Sequence, residues 1–168
     1  MLGREKVITP DDVRGEYSTL EEAILAHNWP ALSESLGKFV FMLLPSTAGI
    51  SEDDRYIEDH PSLKGRAMFV QSEPGAPHAA FLLFDNSILR KEEIKAAVRK
   101  GYLVRSRADI ETYEAKVNDM TRARAAFESG AQVISTDFFK PGNRYGTDYF
   151  VKMPNEKPLR INPVNGQK

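Results

Sequence analysis

Cysteine is absent from this chain, which excludes disulfides and thiolate metal sites and leaves the redox compartment unread. No charge of one sign prevails: 23 lysines and arginines face 24 aspartates and glutamates, a net charge of −1. So close a balance predicts no polyanion-binding face, and nucleic acid is not an expected partner. No run approaches the roughly 20 apolar residues that cross a bilayer, so no transmembrane segment is expected. The opening MLGREKVITPDDVRG has no apolar stretch of the kind a secretory leader carries. Glycine-rich phosphate loops, a GxSxG elbow, internal repeats and low-complexity tracts are missing too. What is there reads as one soluble unit: 168 residues, 41% hydrophobic and 28% charged. A single domain over 1–168 is expected, with an irregular tail over 140–168 that wraps the surface.

Apolar spacing gives the order of elements. STLEEAILAHNWPAL (18–32) opens with Ser18 and has Glu21 three residues later, a capping-box pattern. Leu20, Ala23, Ile24 and His27 share a helical face there, before Pro30 breaks or restarts the helix. GKFVFMLLP (37–45) is apolar on both faces and stopped by proline, the pattern of a strand buried on both sides. SEDDRYIEDHPSL (51–63) reads as a short helix led by acidic residues, Glu52-Asp53-Asp54, that form a solvated face or helix N-terminus. RAMFVQS (66–72) and AAFLLFDN (79–86) are strands joined by a gap too short for a helical crossover of about a dozen residues. LRKEEIKAAVRKG (89–101) has Ile94, Ala97 and Val98 at helical spacing and a stop at Gly101. After the strand GYLVRSRAD, Ile110, Tyr113, Val117, Met120 and Phe127 mark a long or broken helix that ends at Gly130, and AQVISTDFF (131–139) is the last strand. Strands alternating with helices in this order predict an α/β fold with a mostly parallel sheet.

In such folds function gathers at the carboxyl ends of the strands. Here those ends carry Pro45-Ser46-Thr47, Gln71-Ser72-Glu73, Asp85-Asn86, Ala108-Asp109 and Asp137. In GYLVRSRAD, period-2 reading puts Tyr102, Val104, Ser106 and Ala108 under helices and Leu103, Arg105, Arg107 and Asp109 on the other face. Two arginines on one sheet face require anionic partners. A bound phosphate would serve, held bidentately, and so would a carboxylate such as Asp137 on the neighbouring strand. Asp109 could equally cap the helix that follows it, and Asp137 the turn after its strand. His27, His60 and His78 lack the spacing of a metal motif and read as surface or capping residues.

The two stretches that carry these residues, GYLVRSRAD (101–109) and SGAQVISTDF (129–138), resemble the calcium-dependent, phosphatidylinositol-specific phospholipase C-like proteins. That family belongs to the phospholipase C-like phosphodiesterases, built on a TIM barrel. It shows G-Y-x-V-R-[ST]-R-A-D followed, after a helical stretch, by S-G-A-Q-x-x-S-T-D-[YF]. HPSLKGRAMFV (60–70) and ITPDDVRGEYSTLEEAI are similar to it as well, so the resemblance extends from Ile8 to about Pro163. It implies cleavage of a phosphodiester, with a phospholipid head group as partner and calcium as cofactor. Carried over by motif, Arg105 and Asp137 are the expected catalytic pair, with Arg107, Asp109 and Thr136 on the substrate side.

A TIM barrel has roughly 250 residues, so the resemblance implies a partial barrel, about the last five strands with their helices. The family's catalytic histidines and main calcium ligands lie on its first strands, and no segment here matches them. Metal ligands in this chain are therefore unassigned. A truncated phosphodiesterase, not active by itself, is expected. A non-catalytic protein that binds phosphate with the same arginines is the alternative. Open barrel edges would favour homo-oligomers. Members of the family are often secreted, and the sequence assigns no location.

Overall fold

The fold was analysed as a computed structural model that describes residues 2–44, 52–154, 157 and 159–166. The strand end Pro45-Ser46-Thr47 and the side chains of Glu52, Asp53 and Asp54 lie outside the described residues. Packing divides the chain into two units, 1–82 with 100–102 and 83–99 with 103–168.

The first unit begins with a 3₁₀ turn (Arg4–Lys6) and two short helices, α1 (Pro10–Arg14) and α2 (Leu20–Leu25). Their buried residues are Pro10 and Val13, and Leu20, Ala23 and Ile24. The capping box of α2 falls one residue later than the sequence pattern suggests. Thr19 Oγ1 accepts from Glu22 N at 3.1 Å, and Glu22 Oε2 accepts from Thr19 N at 3.3 Å. Glu21 is committed elsewhere: its Oε1 accepts the Gly75 N–H at 2.6 Å and the Tyr102 hydroxyl at 2.5 Å. Gly101, next to that tyrosine, has φ +100°, and a Cβ there would stand 2.3 Å from Ile24 O, so no other residue fits.

After α3 (Leu32–Ser35), strand β1 (Met42–Leu43) pairs in parallel with β2 (Phe69–Val70), which follows α4 (Glu52–Ile57). The stretch 37–44 was expected to be buried on both faces. Phe39 is instead 53% exposed, and Val40, Phe41 and Leu44 are exposed with it. Phe39 and Phe41 stack on each other at 6.2 Å. Parallel bridges also join Val7 to Phe39 and Gln71 to Phe81. The second of these lacks a helical crossover, as the short gap predicted: a turn from Glu73 to Ala76 with Gly75 at φ +98° does the work.

Strand β3 (Phe81–Phe84) runs across the boundary between the units and opens a sheet ordered β3-β4-β5. In the second unit, β4 (Leu103–Arg107) pairs in parallel with β5 (Val133–Ser135), Arg105 opposite Val133 and Arg107 opposite Ser135. The period-2 reading of β4 holds: Val104, Ser106 and Ala108 are fully buried, while Leu103, Arg105 and Arg107 are half-buried. Buried Ser106 is satisfied, its hydroxyl donating to Phe84 O at 2.7 Å. Helix α5 (Lys91–Arg99) buries Ile94, Ala97 and Val98, as its spacing predicted.

The helical stretch after β4 is broken, into α6 (Tyr113–Val117) and α7 (Thr121–Ser129), at a left-handed Asn118. Its apolar spacing misassigns the α6 face. Tyr113 and Val117 are exposed, and Glu114 and Ala115 are buried. Glu114 turns inward because two donors wait there: Ile110 N at 2.9 Å and Arg122 Nε at 2.6 Å.

Small residues let these helices close on the end of β4, around Ala108, Ala115 and Ala123. The expected surface tail instead plugs this core. Tyr149 and Val151 are buried in it, and Phe138 meets Tyr149 edge-on at 5.6 Å. The Val151 N–H donates to Phe138 O at 2.7 Å. The buried apolar side chains hold the segment down even though it forms no helix or strand of its own. The sheets are parallel and open, not a closed barrel: a partial α/β barrel-like fold.

Candidate functional site

Strands β4 and β5 end side by side in the second unit, and there an open depression of about 200 Å³ is lined by Arg105, Arg107, Asp109, Thr136 and Asp137. All five sequence-predicted residues therefore meet in one place. Glu111 and Ser135 complete the lining.

Asp109 forms the floor. It is buried, and Thr136 Oγ1 donates to its Oδ2 at 2.5 Å. The Asp137 N–H reaches its Oδ1 at 3.3 Å, and the Tyr149 hydroxyl its Oδ2 at 3.4 Å. Asp109 does not cap the following helix; it ties the end of β5 to the end of β4. Burial pushes the Tyr149 phenol up, and the Asp109 charge adds to it, so this hydroxyl stays a donor.

The turn after β5 is capped by Thr136, whose Oγ1 accepts the Phe138 N–H at 2.9 Å. That leaves the Asp137 side chain exposed and, among the described residues, without a hydrogen-bond or ion-pair partner.

The arginines divide. Arg107 Nε stands 2.9 Å from Asp85 Oδ1 at the end of β3, an ion-pair distance. Its N–H is not aimed at that oxygen, so the pair lacks a hydrogen bond and the donor remains unspent. Arg107 thus takes its carboxylate from β3, not from Asp137. Arg105 has no ion pair or side-chain hydrogen bond among the described residues. A half-buried guanidinium with unused donors, next to a free carboxylate, can hold an oxyanion and accept a proton from a neighbouring hydroxyl.

Sequence reasoning missed Glu111, Glu114 and Tyr149. Glu114 has no local signal, because Arg122 is eight residues away, beyond the i,i+3 and i,i+4 distances at which helical side chains pair. Burial by itself would raise the Glu114 carboxyl, but the Ile110 N–H and Arg122 outweigh it and hold it below the usual range. No local signal in the sequence marks Tyr149, which comes from a distant segment. The three histidines lie in the first unit and make backbone contacts there. His60 Nδ1 meets Lys64 O at 2.6 Å, His78 Nδ1 meets Pro61 O at 3.3 Å, and the His27 N–H donates to Ile24 O at 2.9 Å.

Parallel strands alternating with helices put the chain in the α/β class, with charged residues gathered at the carboxyl ends of β4 and β5. Residues 1–163 match the sequence model of the family described as phosphoinositide phospholipase C, Ca2+-dependent. The chain belongs to this family. Among solved structures it is similar to a calcium-dependent, phosphatidylinositol-specific phospholipase C from Streptomyces antibioticus, with a TM-score of 0.55 at 19% identity. That likeness is one of fold, and it covers 79% of this chain but only 53% of that enzyme, so the chain spans about half its length. No curated protein matches the chain.

The family implies calcium, which takes six to eight oxygen ligands. Among the described residues no three His, Cys, Asp or Glu side chains converge to hold a metal ion. Both oxygens of Asp109 are already engaged, and two guanidiniums share its depression. This donor set does not fit calcium.

Proposed function

We propose that this chain is a phosphodiesterase of the phospholipase C type whose strand-end depression binds the phosphodiester of a phospholipid head group. The observation that carries the reading is the pair of unpartnered side chains, Arg105 and Asp137, in one depression. Arg105 holds the phosphoryl oxygens and stabilises the charge that grows on them as the ester bond breaks. Asp137 accepts, or hands on, the proton of the attacking hydroxyl. Arg107, steadied by Asp85, and Thr136, fixed by Asp109, orient the head group.

A second reading, phosphate binding without turnover, has its own support: residues 83–168 contain no histidine. Partners in association are then second copies of the chain, drawn together by the exposed Phe39, Val40 and Phe41.

One experiment separates the readings. Turnover of phosphatidylinositol vesicles is measured with calcium and with chelator, alongside binding of glycerophosphoinositol. Turnover that is lost in Arg105→Ala supports the hydrolase. Binding that is lost in Arg105→Ala, with no turnover, supports the binding protein. Binding indifferent to Arg105 rules out both.

A further inference from the structure

Glu111 is held in a conformation that favours a different residue. Its φ is +50°, and that of Thr112 is +72°. Two successive left-handed residues without a glycine are costly, the more so for a Cβ-branched threonine. Glycine at 111 would relieve the first of them. Strain kept where a simple substitution removes it points to a use for the side chain. Glu111 is exposed and lines the depression that holds Arg105 and Asp137, and like that of Asp137 its side chain has no protein partner among the described residues.

Its charge changes what the depression can accept. Two guanidiniums, Arg105 and Arg107, are set against four carboxylates, Asp109, Glu111, Asp137 and the Asp85 that pairs Arg107. The unpaired cation is therefore single, and the groups around it are anionic. Carboxylates accept hydrogen bonds from neutral hydroxyls and repel further phosphates.

Resting on the binding reading above, we propose that Glu111 is a specificity-determining residue. It admits a polyol head group whose only charge is the phosphodiester held by Arg105, and it turns away head groups that carry another phosphate.

Calorimetric titration of the purified, cooperatively folded chain with glycerophosphoinositol and with its ring-phosphorylated form tests this. The diester is expected to bind about tenfold more tightly than the phosphorylated ligand, the preference shrinking as salt is added. Glu111→Gln should cut that ratio to about two- to threefold, chiefly by tightening the phosphorylated ligand. Glu111→Gly should narrow the ratio equally while raising the melting temperature, a combination that a scaffold residue would not give. An unchanged ratio in Glu111→Gln, with Arg105-dependent binding intact, overturns the role of Glu111 alone. Absent binding by the wild-type chain, or binding indifferent to Arg105→Ala, overturns the site reading and this inference with it.

Discussion

Asp109 shows how one residue fixes a site made by two strands. Its carboxylate takes a hydroxyl from Thr136, a backbone N–H from Asp137 and a phenol from Tyr149. An asparagine would turn an NH₂ toward some of those donors, leaving buried groups unsatisfied. Asp109→Asn is therefore expected to cost about 2 kcal/mol in urea denaturation. Head-group binding should weaken with it, because the Asp137 backbone loses its tether. Arg105→Ala contrasts with it. That side chain makes no ion pair or side-chain hydrogen bond with the described residues, so stability should stay within about 0.5 kcal/mol while binding is lost. Strand periodicity puts Arg105, Arg107 and Asp109 on one face, while Thr136 and Asp137 were assigned to the site through the family resemblance. Which arginine was free was not legible, since it depends on Asp85 reaching Arg107 from another strand.

The helices between β4 and β5 are joined by an ion pair as well as by apolar packing. Glu114 and Arg122 are both largely buried, at 5% and 15% side-chain exposure. Removing one charge of such a pair leaves the other uncompensated, so Glu114→Gln should destabilise the second unit by about 3 kcal/mol. The pH dependence has a definite sign. The folded-state carboxyl titrates below its ordinary 4.5, so its contribution is complete above that value and lost as pH falls through the folded one. The gap in urea midpoint between wild type and Glu114→Gln should accordingly be full well above the ordinary 4.5 and shrink as pH falls below it. Helix α5 was readable because its apolar spacing coincides with its burial. Helix α6 was not, because hydrogen-bond satisfaction of Glu114 overrides a stripe of two apolar residues, Tyr113 and Val117. The tail was misjudged for a related reason: Pro, Gly and Asn mark irregular backbone, but irregular backbone can still deliver Tyr149 and Val151 to a core.

At the scale of the whole molecule, apolar surface is left in the open. Phe39 and Phe41 stack on each other and stay 53% and 40% exposed, and Val40 and Leu44 are exposed nearby. Sedimentation velocity should show concentration-dependent association of the chain, and the double change Phe39→Ser, Phe41→Ser should shift it toward monomer. A wild-type chain that stays monomeric at all concentrations would remove the second copy as a partner. Among the described residues no helix is long and apolar enough to cross a membrane. The sequence by itself determined the α/β class, the order of the elements, the inward face of β4 and the family, all of which rest on local periodicity or contiguous motifs. Only the tertiary structure decided that Arg105 has no ion pair among the described residues, that Glu114 and Tyr149 are buried, that Glu111 lines the depression with a positive φ and that Phe39, Val40, Phe41 and Leu44 are exposed. Each of these depends on which distant groups arrive beside a residue, and nothing local in the chain encodes that arrival.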